Sequence, residues 1–154
     1  MRSIFFYLLF FSAVYLAFNN ISPSSCSANT TNSTGTIKGI RFIEEDWDKA
    51  LEQARLQNKM IFLDAYASWC GPCKLMKRST FSDKEVGEYF NEHFVNVAID
   101  MEKGIGPSLS KKFGLEAYPT LFILDQNGNV IGQSVGFLRA GQLINFAKEH
   151  TKTK

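Results

Sequence analysis

The run Met60–Tyr66 (MIFLDAY) leads almost directly into Trp69-Cys70-Gly71-Pro72-Cys73-Lys74, and nothing else in the sequence restricts the fold as much. A near-continuous apolar run suits a central strand covered on both faces. The residues after the cysteine pair read as a helix to about Ser79. This strand–turn–helix order puts Cys70 at a helix N-terminus, where unpaired backbone N–H groups and the helix dipole stabilise a negative sulfur. A free cysteine has a pKa near about 8.5, and in C-x-x-C sites of this kind it falls toward about 7 or below. Cys70 is therefore the candidate attacking thiolate. Cys73, one turn on, is expected to face it, to be the more covered of the two, and to resolve a mixed disulfide by attacking Cys70. Pro72 falls in the first helical turn, where its missing N–H costs little. Gly71 lets another backbone come close. Two cysteines at this spacing also occur as packing residues or as half of a metal site; the intervening Gly-Pro and the apolar strand before it argue against both.

Asp64 interrupts the apolar run. A carboxylate in a buried strand is costly unless it has a partner or a task, and burial raises its pKa. Lying six residues before Cys70, it is a candidate to accept or return the proton of Cys73, directly or through water. The alternative is an exposed carboxylate at the strand end. Tyr118-Pro119-Thr120 precedes another apolar run. Proline has no N–H for a ladder bond, so it belongs at a strand start or in a turn. A cis peptide here would bring the backbone of Tyr118 beside the cysteines, where an extended substrate could pair with it like an added strand.

Along the rest of the chain, Lys38–Ile43 reads as a short strand. Glu44–Gln57 reads as a helix, with Trp47, Ala50, Leu51 and Ala54 on one face and acidic residues in its first turn. Ser82 to Glu85 has the form of a capping box with Ser82 at the cap, opening a helix to His93. Phe94–Asp100 reads as a strand. Gly104 to Phe113 reads as a loop and short helix with Pro107 near its start. Thr120–Leu124 and Asn129–Val135 form a hairpin through Asp125–Gly128, and Ala140–His150 closes the chain as a helix. Alternating strands and helices with a hairpin after them predict an α/β fold, a central mixed sheet of 4–5 strands with helices on both faces.

The N-terminus has a different character. After Arg2, the segment from Ile4 to Phe18 is apolar all round, with the length of a signal-peptide core and short of the roughly 20 residues of a membrane span. A Ser/Asn/Thr-rich stretch comes next. The boundaries read as residues 1–25, a signal peptide or lipoprotein leader; 26–37, a flexible polar tether; and 38–154, the folded domain. Cys26-Ser27-Ala28 offers a small-residue cleavage site, or Cys26 is itself a lipidated N-terminal cysteine; an uncleaved anchor is the third reading. With three cysteines the chain is not a disulfide-rich scaffold. A zinc site needs a second Cys or His pair, and His93 and His150 lie far apart in sequence, so no metal is expected. Net charge is +2, from 17 Lys+Arg and 15 Asp+Glu. The basic residues are scattered, which argues against nucleic acid as a partner.

The stretches FLDAYASWCGPCK, AYPT and VGFLRAGQL resemble thioredoxin in motif, order and spacing, over about residues 40–150. The resemblance implies the thioredoxin fold, with Cys70 as nucleophile, Cys73 as resolving cysteine and Asp64 as the buried acid–base carboxylate. It further implies Pro119 as a cis-proline, Gly136 beside the substrate groove and Trp69 as the aromatic flanking the site. Trp69, Gly71, Pro72, Tyr118, Pro119 and Gly136 would then contact substrate, and Cys70–Cys73 would be the redox disulfide. Tyr66 stands where thioredoxins usually carry Trp. Asn96 stands about where they often carry a Lys facing the buried Asp. Residues 75–94 look more like the extracytoplasmic thioredoxin-like domains of bacterial transmembrane disulfide reductases.

The expected function is therefore an extracytoplasmic (bacterial periplasmic) protein-disulfide reductase. It would need no cofactor, act on protein disulfides, be re-reduced by a membrane electron donor, and work as a monomer, soluble or tethered through the N-terminus. Gly-Pro between the cysteines favours the reducing side; a strong oxidant is expected to stabilise its thiolate more. An oxidase or isomerase, and a non-catalytic binding or holdase module, are the alternatives.

Overall fold

The computed structural model describes residues 38–151; Cys26 and the expected leader and tether lie outside them. In chain order the elements are β1 (Ile43–Glu44), α1 (Trp47–Gln57), β2 (Met60–Tyr66), α2 (Gly71–Ser79), α3 (Lys84–His93), β3 (Phe94–Asp100), α4 (Gly106–Phe113), β4 (Thr120–Leu124), β5 (Val130–Val135) and α5 (Ala140–Thr151). The sheet order is β1-β3-β2-β4-β5. β2 runs parallel to β3 and antiparallel to β4, and β5 closes the hairpin on β4. This is the thioredoxin fold expected from the sequence, with five strands. No helix among the described residues is long and apolar enough to cross a membrane.

Strand alternation divides the interior in two. Ile61, Leu63, Ala65, Val97, Ile99 and Phe122 point to one face, where Trp47, Ala50 and Ala54 of α1 and Leu109 of α4 cover them. Phe62, Phe94, Leu121 and Ile123 point to the other, under Met76 of α2, Val86 and Phe90 of α3, and Leu143 and Ala147 of α5. Fully burying an aliphatic or aromatic side chain of this size stabilises the fold by roughly 1.5–3 kcal/mol. The long apolar runs β2, β3 and β4 are thus central, and the partly polar β5 is an edge. At the hairpin, Asp125 Oδ1 accepts the backbone N–H groups of Asn127 (2.8 Å) and Asn129 (2.9 Å).

Several boundaries differ from the sequence expectations. The first strand is only Ile43–Glu44, because Ile40 donates its N–H to Phe81 O (2.7 Å) rather than to a sheet neighbour. The first helix starts at Trp47, not Glu44: Asp46 is its cap and accepts from Lys49 N–H. Glu44 lies in β1, and Glu45 sits at φ 58°. Asp83, not Ser82, caps α3 and accepts from Val86 N–H at 3.1 Å. Ser82 Oγ is engaged elsewhere, donating to Arg78 O.

The segment leading into β1 crosses α3 at a pair of glycines. Gly39 has φ +85°, and a Cβ on Gly87 would overlap its backbone. Gly87→Ala should therefore lower the urea midpoint by the equivalent of about 1–3 kcal/mol, a typical overpacking cost. Gly141→Ala, whose Cβ meets nothing, should leave the midpoint unchanged or raise it.

Candidate active site

The site forms where β2 ends and α2 begins. Cys70 is the N-cap of α2: its backbone is extended (φ −67°, ψ 115°) and its Sγ accepts the N–H of Cys73 at 3.2 Å. A sulfur thus takes the place of the usual capping oxygen for one of the orphan donors of the first turn. Cys70 and Cys73 are joined as a disulfide, with 5.3 Å between their Cα atoms. Gly71 and Pro72 open the helix and are exposed; a Cβ on Gly71 would have nothing within 4 Å among the described residues beyond its own helix turn and chain neighbours.

The expected difference in burial between the cysteines is absent. Cys70 is 2% exposed and Cys73 6%, because both pack in one small cluster with Ala67, flanked by Tyr66 and Tyr118. What separates them is direction. Cys70 caps the helix, while Cys73 lines a cavity of about 210 Å³ that Asp64 also lines. Phe42, Tyr66, Phe81 and Ala98 supply much of the cavity's apolar wall, and Glu44, Lys74 and Lys77 line it as well.

Asp64 is buried, at 6% exposed, which removes the exposed strand-end alternative. Its Oδ1 accepts no hydrogen bond from the described residues. Burial pushes its pKa up from the ordinary 3.8 to about 7, against a lowering by Lys77 and with a further rise from Glu44. Asn96 does not face it. In the register, Ala98 of β3 stands opposite Asp64 and Asn96 opposite Phe62; the Asn96 amide donates to Phe90 O (3.3 Å). The cation that acts on Asp64 comes from α2 instead of the sheet.

On the outer side, the Tyr118–Pro119 peptide is cis. Tyr118 packs against the cysteine cluster and meets the Trp69 ring edge-on at 5.8 Å between centroids. Trp69 remains 65% exposed. Pro119 O accepts the N–H of Gly136 at 2.8 Å, and Gly136 has φ +95°, a conformation that favours glycine. The structure therefore gathers Trp69, Cys70, Cys73 and Tyr118, places Pro119 next in the chain just before β4 and hydrogen-bonded to Gly136 just after β5, and sets Asp64 in the cavity that Cys73 lines.

Sequence reading missed the groups that hold this arrangement. Trp69 Nε1–H donates to Glu102 Oε2 at 2.8 Å. Lys103 Nζ pairs with Asp100 Oδ2 (2.9 Å) and donates to Ser68 Oγ (2.9 Å). Glu45 Oε1 accepts both Tyr66 OH (2.8 Å) and the N–H of Asp100 (2.9 Å). Burial first, then the bond to Glu45, raises the Tyr66 pKa. No periodicity marks these residues; they meet only because β1, β2 and β3 are parallel and end together.

The sequence matches the family described as thioredoxin-like over residues 42–126. It is 31% identical over 134 residues to the thiol:disulfide interchange protein DsbD of Actinobacillus pleuropneumoniae, covering 84% of this chain and 22% of that protein. It is 40% identical over 101 residues to the chloroplastic thioredoxin Y2 of Arabidopsis thaliana, covering 64% of this chain and 57% of that one. The chain thus spans between about a fifth and somewhat over half of the length of these curated relatives. Among solved structures, a candidate disulphide-isomerase from Bacteroides thetaiotaomicron superposes with TM-score 0.67 at 41% identity, covering 76% of this chain and 97% of that one. A Thermus thermophilus thioredoxin shares the fold, with TM-score 0.61 at 19% identity over 72% of this chain and 85% of that one.

The raised Asp64 pKa links folding to pH. Below about pH 4 the folded and unfolded chains both hold the proton; from there to about 7 only the folded chain does, so stability falls across that window and is level above it. Asp64→Asn removes the effect. In urea titrations of the oxidised protein, the variant should gain on the parent from pH 4 to 7 and then stay ahead, by up to roughly 4 kcal/mol at about 1.4 kcal/mol per unit. A difference independent of pH would mean that the carboxyl is not desolvated.

Proposed function

The chain belongs to the thioredoxin-like family, and from that premise we propose that it is an extracytoplasmic oxidoreductase that reduces protein disulfides through Cys70 and Cys73. The observation that carries this reading is the disulfide at the start of α2, with Cys70 as helix cap and Cys73 lining the same cavity as Asp64. In the reduced pair, the Cys70 thiolate attacks one sulfur of a substrate disulfide. A Cys70–substrate bond forms, the substrate S–S bond breaks, and the other substrate sulfur leaves with the electron pair and takes a proton. Asp64 then accepts the proton of Cys73, whose sulfur attacks Cys70 Sγ. The Cys70–Cys73 bond forms, the Cys70–substrate bond breaks, and the second substrate sulfur leaves with the electron pair and takes a proton. Two electrons pass to the substrate, and a dithiol donor restores the pair.

Trp69, Gly71, Pro72, Tyr118, Pro119 and Gly136 are the proposed contact surface, with the open space at Gly71 leaving room for a substrate backbone. The apolar run from Ile4 to Phe18 supports export, with residues 1–25 as signal peptide or lipoprotein leader, 26–37 as a flexible polar tether that opens on Cys26, the candidate lipidated residue, and 38–154 as the domain. A membrane electron donor is proposed from the relatives called thiol:disulfide interchange proteins. Gly-Pro between the cysteines supports the reducing direction. One observation favours a second reading, an isomerase: the 41% identity to the Bacteroides candidate disulphide-isomerase.

Cys70→Ser should reduce turnover of a protein disulfide to the uncatalysed background, and Cys73→Ser should accumulate a mixed disulfide visible by mass spectrometry. Client handling that survives Cys70→Ser would instead mark a binding module. Equilibration with glutathione should give a reduction potential below about −220 mV; a value near about −180 mV would favour the isomerase reading.

A further inference from the structure

The cavity under Cys73 has a charged rim. Lys77 Nζ lies 3.4 Å from Glu44 Oε1, with side chains 67% and 50% exposed, although both residues line the cavity that holds the buried Asp64 carboxyl. Lys77 stands four residues after Cys73, so the two share one side of α2. Glu44 comes from β1 on the far side of β3 from β2. The pair therefore ties the resolving helix to the sheet edge across the opening above Asp64.

We propose that Lys77 and Glu44 are positioning residues, an ion pair at the cavity rim that sets how readily Asp64 exchanges its proton with Cys73. The inference rests on the thiol–disulfide exchange reading and names what tunes it. An exposed ion pair adds little to stability. Its field on a buried carboxyl reached through an apolar cavity is screened much less than between two surface charges. The two charges oppose each other there: the ammonium of Lys77 favours the carboxylate of Asp64, and the carboxylate of Glu44 disfavours it.

The other groups around Asp64 leave this role to the pair. Ala98 of β3 and Leu121 of β4, its register partners, carry no charge. Asp100, two positions beyond Ala98, is held by Lys103. Tyr66, on the same strand, is bound to Glu45 and stays neutral. Lys74 of α2 lines the cavity but is not among the charges that move Asp64. During exchange the two members of the pair have opposite tasks. When Cys73 must lose its proton, Lys77 stabilises the carboxylate ready to receive it. Glu44 prevents that carboxylate from becoming too weak a base.

The test is the titration of Asp64 itself in the oxidised protein, monitored by the carboxyl carbon resonance from pH 4 to 10, which needs no turnover. Lys77→Met should raise the midpoint and Glu44→Gln should lower it, each by about half a unit or more, the equivalent of a threefold change in proton affinity. Lys77→Arg should keep the parent value. In stopped-flow resolution of a mixed disulfide, the pH–rate profile should move in the same direction as the midpoint. Midpoints unmoved in both variants, or moved the same way by both, overturn the proposal. So does a resolution profile that stays still while the midpoints move. Failure of the underlying exchange reading would look different, as a parent protein that reduces no disulfide at any pH.

Discussion

The hydrogen bond from the backbone N–H of Cys73 to Cys70 Sγ is the contact on which the site depends. It exists because a helix begins a few residues after a strand with a buried interior, and the first donors of any helix lack intrahelical partners. β2 cannot shift to relieve that demand: it is in register with β3 on one side and β4 on the other along its length. The start of α2 is therefore fixed by the sheet, and Cys70 is fixed by the start of α2. In the proposed exchange, a sulfur held at a helix start that follows the most constrained strand needs little reorganisation to attack. The same donors and the helix dipole favour its charged form.

Two environments meet at the disulfide. Outward lie Trp69, Tyr118 and the turn that joins Pro119 to Gly136 by a backbone hydrogen bond, an apolar and partly exposed surface. Inward lies the cavity with Asp64. Residue burial does not separate the cysteines, but their surroundings do, and that asymmetry is what a nucleophile and a resolving thiol require. The carboxyl that shares the cavity with Cys73 has a pKa near neutrality, which is what the proposed proton transfer requires of it.

The polar contacts around the site converge from the C-terminal ends of three parallel strands. Glu45, Tyr66, Asp100, Lys103 and Ser68 form one connected set, and Glu102 holds Trp69. The exposed contacts among them add little stability individually, while Asp100 is buried. Together they fix the loop between β2 and Cys70 to the ends of β1 and β3, so the position of the tryptophan is set by the sheet rather than by the solvent.

Much of this was legible in one dimension. The continuous apolar run at Met60–Tyr66 determined a central strand, because only a strand covered on both faces excludes polar residues from both. The cysteine spacing after it determined a helix start with two sulfurs on one turn, and a charge inside the run singled out Asp64, whose burial the structure then settled. These are local signals, carried by period and composition. The tertiary structure alone decided the rest. Asn96 is next to Asp64 in pattern but not in register, since a two-residue offset in a parallel pairing cannot be read from either strand alone. Lys77 and Glu44, 33 residues apart in the chain, meet at the rim of one cavity. Both Ser82 and Asp83 are cap-forming residue types, and only the structure shows that Asp83 takes the cap while Ser82 Oγ donates to Arg78 O. Periodicity assigns a residue to a face. Which charges share a cavity is set by the crossing of elements distant in the chain, and no local pattern records it.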